Sequence, residues 1–229
     1  MAVFLKAREG YLAGDMGWNK NKYRPIIVDM NDAGPAPGAW VITSVTSSGV
    51  APNIIATVTT SAAHGLAAGQ TVELFLIGGA TQLNGVFVVN TVPTTTTFTI
   101  SMASVAVSAY TSGGYIANLS LTFLSQFVPA VGRVSTAPAL DITNANHTVL
   151  NGVADTHDVT FPTVPGPDPV EAILIVRAAA LPADADLADT AQRLVWLNTP
   201  STPGTTGLPV TPNGGDINVT WNAQGLFAI

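Results

Sequence analysis

Asp155-Thr-His157-Asp158 sets one imidazole and two carboxylates within four residues, the chain's best approach to a metal site. On a strand successive side chains point to opposite faces, so 155 and 157 share one side and 158 takes the other, whereas a closed site needs convergent ligands. The expected reading is a polar strand edge or turn. Asp184, Asp186 and Asp189 have the start of a calcium loop. They fail at the sixth position, which needs glycine for the tight turn and holds Asp189, and no glutamate follows at the twelfth. A solvated loop or helix start is expected there.

Other chemistries have fewer residues to work with. His64, His147 and His157 form neither HExxH nor an i, i+4 pair. No GxSxG elbow activates a serine, and no GxxxxGK loop cradles a phosphate. Only Glu9, Glu73 and Glu171 are glutamates, which leaves nothing to single out a carboxylate pair for glycoside hydrolysis. The absence of cysteine removes thiol nucleophiles and thiolate metal sites together. The expectation is a non-enzymatic protein with no catalytic residue, no metal and no cofactor.

The composition fits a different role. Only 10 % of the 229 residues are charged and 47 % are hydrophobic, so neutral hydroxyl and amide groups must coat much of the surface. A typical globular chain is about 25 % charged, and a surface so sparse in charge resists association poorly. That suits a component of a larger assembly. The net charge of −6 argues against nucleic acid as a partner, since phosphates call for clustered Lys and Arg. Lys6, Arg8, Lys20, Lys22 and Arg24, mixed with Glu9 and Asp15, are expected to form a solvated face. MAVFLKAREGYLAG lacks the apolar core of a secretory signal, and no window of about 18 residues is apolar enough for a membrane span, so no membrane partner is expected.

The elements read as mainly β. Residues 3–14 predict one short helix, with Phe4, Leu5, Tyr11 and Leu12 near helical spacing and Gly14 as its stop. YRPIIVDM reads as a buried strand opened by its proline, and NDAGPAPG (31–38) as a linker. From Trp40 to Ala117 the chain is Val-, Ile- and Thr-rich, with Glu73 its only charged residue. It predicts four to six strands: WVITSVT, NIIATVTT, TVELFLI, GVFVVNTV, TFTISM and GYIANL. Thr97-Phe98-Thr99-Ile100-Ser101 alternates, placing Phe98 and Ile100 on one face and hydroxyls on the other. After 118 further strands are expected at GRVST, DITNAN, HTVLNGVAD, DVTFPTV, EAILIVRA, QRLVWLNT and DINVTW, with a helical turn in 183–192. EAILIVRA, apolar without alternation, predicts a central strand covered on both faces. Trp196 and Trp221 fall in strand patterns and read as core rather than as a sugar or base platform. The fold class is therefore a β-sandwich or barrel-like core of 1–38 and 118–229, with one N-terminal helix and a small β-barrel of 39–117 inserted.

Turns punctuate this plan. Gly65 and Gly69 permit the turn into TVELFL, and Asn84-Gly85 suits a tight hairpin with positive φ. His64 reads as a capping or packing histidine. Asn213-Gly214-Gly215 supplies a turn tolerant of positive φ before Ile217, Val219 and Trp221 alternate toward the core, with Asp216 capping turn amides. Valines at 214 and 215 together are expected to impair folding.

Two segments carry a resemblance. His64-Gly65-Leu66, Gly69, Val72, Leu83-Asn84-Gly85, Phe87, Val89, Phe98 and Ile100 follow a pattern that resembles a β-barrel module common in tailed-phage structural proteins. That module is similar to the first catalytic-cysteine half-domain of ubiquitin-activating enzymes, whose chemistry cannot carry over to a chain without cysteine. The outer segments, most specifically the last 24 residues, TGLPVTPNGGDINVTWNAQGLFAI, resemble a family of small phage virion proteins. The resemblance implies a capsid decoration protein made in the host cytoplasm and located on the outer capsid surface. Its partners would be the major capsid protein and further copies of itself, with a trimer as the expected oligomer. A tail, baseplate or fibre component with a host-binding barrel is the alternative it leaves open.

Overall fold

The computed structural model describes residues 2–18, 20–50, 52–102, 107–135, 141–143, 147–150, 153–180, 185–202, 207–221 and 227–228. The chain is mainly β and divides into two compact units. One comprises 1–29, 121–126 and 130–229; the other comprises 30–120 with 127–129.

In the first unit β1 (Ala2–Val3) leads into helix α1 (Leu5–Leu12), then β2 (Asn21–Val28). Gly14 adopts φ 80° just beyond the helix and donates its N–H to Tyr11, the stop its type predicts. The four residues at helical spacing divide, Phe4 being buried and Tyr11 half-buried. Phe4, Ala7 and Gly10 are buried while Leu5 and Leu12 are exposed, because the helix approaches its neighbours closely: a Cβ on Gly10 would lie 2.9 Å from Met16 Sδ and 3.3 Å from Arg193.

The second unit runs β3 (Ile42–Ser48), β4 (Ile54–Thr60), β5 (Thr71–Phe75), β6 (Gly85–Thr94), β7 (Thr97–Met102) and β8 (Tyr115–Asn118), the six strands expected from the sequence. They form one antiparallel sheet in the order β3-β4-β7-β6-β5-β8. The expected closed barrel is not detected. The two end strands meet only at the bridge of Val41 with Tyr115, flanked by Ile42 N–H to Gly114 and Ile116 N–H to Trp40. Val45, Val58, Phe98, Ile100, Val89, Val72, Leu74 and Ile116 fill one face. Phe98 and Ile100 are fully buried there, as the alternation of β7 requires.

The Pro/Gly stretch 31–38 belongs to this second unit rather than forming a linker ahead of it. Gly34 donates to the Phe127 carbonyl at 2.8 Å and holds φ 92°, and a Cβ on it would sit 2.9 Å from the Trp40 ring. Trp40 in turn packs edge-on against Phe127. Glycine here lets an indole lie on bare backbone.

The rest of the first unit holds α2 (Leu124–Phe127, its last residue grouped with the second unit), β9 (Arg133–Ser135), β10 (His147–Leu150), β11 (Val153–Thr156), β12 (Val159–Phe161), β13 (Ala172–Ala180), β14 (Arg193–Asn198), β15 (Ile217–Val219) and β16 (Phe227–Ala228). Its main sheet has the order β1-β14-β13-β2-β9, and β13, the EAILIVRA strand, is central and buried along nearly all its length. β10-β11-β16 and β12-β15 form smaller sheets.

Pro25 lies inside β2 opposite Ile175, not at its start. Tyr23 exchanges backbone hydrogen bonds with Ile142 on the side away from β13. Residue 25 points the same way by alternation, so the missing N–H subtracts nothing from the β13 ladder. The expected strand DITNAN is limited, in its described part, to that Ile142 bridge, with 144–146 outside the described residues. Residues 185–192 make a single turn in which Ala191 and Gln192 donate to Ala188, and 183–184 lie outside the described residues.

Candidate functional site

The structure uses the chemistry-bearing residues for architecture. Asp155 stands on β11 and its Oδ1 accepts the N–H of Thr156 at 2.8 Å. Asp158 Oδ1 accepts the N–H of Trp221 at 3.0 Å, securing the end of β15. His157 Nδ1 lies 3.2 Å from the Thr156 hydroxyl. No group of three or more potential metal ligands occurs among the described residues.

The acidic loop is neither a calcium site nor simply solvated. Asp186 pairs with Lys22 at 2.7 Å and with Arg24, and Asp189 pairs with Arg133 at 2.7 Å. Arg24 also forks onto Asp141, Nε to Oδ1 at 2.8 Å and Nη2 to Oδ2 at 2.6 Å. Lys22 and Arg24, two residues apart on β2, thus share two carboxylates. The expected solvated basic face is, at these positions, a partly buried ion network. Its signal in the sequence was the i, i+2 spacing on a strand.

The four tryptophans are buried: Trp18 stacks on Tyr23 with centroids 4.4 Å apart, and Trp196 meets Trp221 edge-on at 6.0 Å. Among the described residues no indole offers an exposed platform. Tyr11 donates to Tyr23, which donates to the Gly17 carbonyl. Burial raises both phenols, Tyr23 to about 12 despite its hydrogen bonds, so both remain neutral donors.

The predicted turn residues divide. Gly65 and Gly69 have φ 67° and 84°, the left-handed region expected of them. Asn84 does not make the expected hairpin turn: it ends a 3₁₀ turn with φ −72°, its Oδ1 accepts the Ile77 N–H at 2.9 Å and its Nδ2 donates to the Ile77 carbonyl. Gly85 then enters β6 nearly extended, at φ 159°. Asn213 Oδ1 accepts the Gly215 N–H at 3.1 Å, and Gly214 has φ 90°. Asp216 caps an amide, but that of Thr163 in the facing segment, at 2.8 Å. Only Gly214 of the pair needs the left-handed region, and nothing lies within 4 Å of a Cβ there. Gly214→Ala should therefore cost about 1–2 kcal/mol of backbone strain, with Gly215→Ala costing less, because its φ is not left-handed and its Cβ would crowd only the Asn213 Oδ1, at 3.1 Å. Urea denaturation of the two variants checks this, and equal losses would count against it.

A candidate surface is the second face of the six-stranded sheet, where Thr99 is largely covered by its neighbours. Thr46, Thr57, Thr99 and Thr91 stand side by side across β3, β4, β7 and β6, and Ser44, Thr59, Thr97 and Thr94 form the next row. Thr91 and Thr99 share a hydroxyl hydrogen bond of 2.8 Å, and Thr94 and Thr97 one of 2.7 Å. Val86 and Val88 extend the surface along β6 at 49 % and 57 % exposure. Asp32 and Glu73 are the only Asp, Glu, Lys or Arg residues in 30–120, and Glu73 is buried. This face therefore offers hydroxyl and aliphatic groups with almost no charge.

No protein-family model matches the chain, and no curated protein matches it. Among the described residues no helix is long and apolar enough to cross a membrane.

Proposed function

We propose that this chain is a structural protein of a tailed-phage virion, a capsid decoration protein that binds the assembled shell and stabilises it. The observation that carries the assembly role is the nearly chargeless exterior of the six-stranded unit, with its paired rows of threonine and serine and its exposed valines. A freely diffusing protein gains solubility from dispersed charge, whereas a subunit held among others does not depend on it. The resemblance of residues 61–100 and 206–229 to phage virion sequences supplies the kind of assembly.

In mechanism, the protein binds the shell and not its dissociated subunits, so binding free energy adds to the assembled state alone. The partners are the major capsid protein and further copies of this chain, as a trimer. Cryo-electron microscopy of the particle should place copies across the head. Particles stripped of the protein should lose heat tolerance and regain it on adding the protein back. Density confined to the tail, or stripped particles of unchanged stability, would overturn the decoration role.

A further inference from the structure

His64 sits in the loop 61–70 between β4 and β5, only 2 % exposed, edge-on to Phe98 with ring centroids 5.4 Å apart. Its Nδ1 accepts the Leu66 N–H at 2.9 Å. Its carbonyl accepts the Trp40 indole N–H at 3.2 Å, and its own N–H donates to Thr95 at 3.0 Å. An accepting Nδ1 carries no proton, so the neutral ring keeps its proton on Nε2, which is buried without a partner at hydrogen-bonding geometry.

The groups packed around this ring bring no charge to offset a second proton. Thr97 and Phe98 come from β7, with Thr95 just before it; Trp40 comes from the segment ahead of β3; Leu66 closes the loop; and Pro35 packs against Gly65. None of these is titratable. The charged side chains of the unit are Asp32 and Glu73, and its tyrosines are Tyr110 and Tyr115. Burial lowers the affinity of the ring for a proton, and the Thr97 backbone, outside hydrogen-bonding geometry, offsets this only in part.

We propose that His64 is an acid-operated latch: protonating Nδ1 sets two donors, the ring N–H and the Leu66 amide, against each other and releases the loop 61–70 from its place beside Trp40 and Phe98. In the open loop the imidazole takes its proton near the ordinary pKa of about 6.5, while the closed site resists it. The open state thus binds more protons, and closure weakens as the pH falls below about 6.5 until the closed form is protonated too. One proton raises the opening constant by at most about tenfold per pH unit.

Amide hydrogen exchange of residues 61–70, corrected for the intrinsic rate, tests this between pH 7 and 5. Wild type should lose about tenfold or more in protection. His64→Asn, which can keep an acceptor near Nδ1 and cannot titrate, should lose none. Glu73→Gln, which removes the unit's buried carboxylate as a rival titrating group, should behave as wild type. The same loss in His64→Asn, no loss in wild type, or a loss abolished by Glu73→Gln would each overturn the latch. Should His64→Asn fail to fold, NMR titration of wild type decides: the His64 ring and the Leu66 amide should report one common midpoint, and a ring that titrates while the Leu66 amide stays protected would overturn it.

Discussion

Phe98→Ala is expected to remove about 3–5 kcal/mol from the six-stranded unit. Phe98, the second residue of β7, is fully buried opposite Val58 on β4, with the His64 ring edge-on to it. Truncation removes the transfer free energy of a phenyl group and leaves a cavity that two laddered strands cannot collapse to fill. A domain holds only about 5–15 kcal/mol in total, so the unit should become marginal while the other unit keeps its own core. Denaturation followed at the fluorine signal of Trp40, the one tryptophan in 30–120, in protein carrying fluorotryptophan gives the measurement. A loss under about 1 kcal/mol, the scale of a surface change rather than a core truncation, would show that the site repacks.

The second large effect is expected from Arg24→Met. Removing the guanidinium takes the fork from Asp141 and one of two cations from Asp186, while the Lys22 ammonium stays 2.7 Å from Asp186 but 4.0 Å from Asp141. Breaking a buried pair costs about 3–5 kcal/mol. Here the side chains keep 19–33 % of their surface exposed, which reduces the expected loss to about 2–3 kcal/mol. Arg24→Lys should not restore it, because one ammonium cannot reproduce the two-nitrogen fork onto Asp141.

The same network fixes the acid response. Burial on its own would raise the Asp186 carboxyl, but hydrogen bonds from Lys22 and Arg24 outweigh it and hold the group below its usual range. The stability this brings is complete above the ordinary carboxylate pKa and is lost as the pH falls through the depressed folded value. Stability below about pH 4 should accordingly vary less with pH in Arg24→Met than in wild type, and an unchanged slope would detach Asp186 from the network.

Strands were legible where side-chain type and period agree. Thr97 to Ser101 alternates and EAILIVRA does not, and the first became a two-faced strand and the second the buried centre of its sheet. Tertiary approach was not legible. Leu5 and Leu12 share helical spacing with buried Phe4 but are exposed, and small Ala7 and Gly10 are the residues that let the helix come close. Asn84-Gly85 has hairpin composition, but the Asn84 side chain is engaged by Ile77 seven residues earlier, a contact that dipeptide statistics do not contain. Gly34 was read as linker because its partners, Trp40 and Phe127, lie 6 and 93 positions away. The candidate face became visible only once register placed threonines from four strands in rows, since each strand alone shows no more than Thr-x-Thr.

The pairing of β2 with β13 has a consequence for the order in which the chain can mature. Val28 must wait for Ala172, its register partner, whereas the sheet of the second unit needs nothing beyond Asn118. At roughly 5–20 residues per second, translation supplies the second sheet about 3–12 seconds before the strand that β2 requires is complete. A nascent chain halted soon after residue 130 emerges should already hold a protease-resistant core, with β2 still lacking its neighbour.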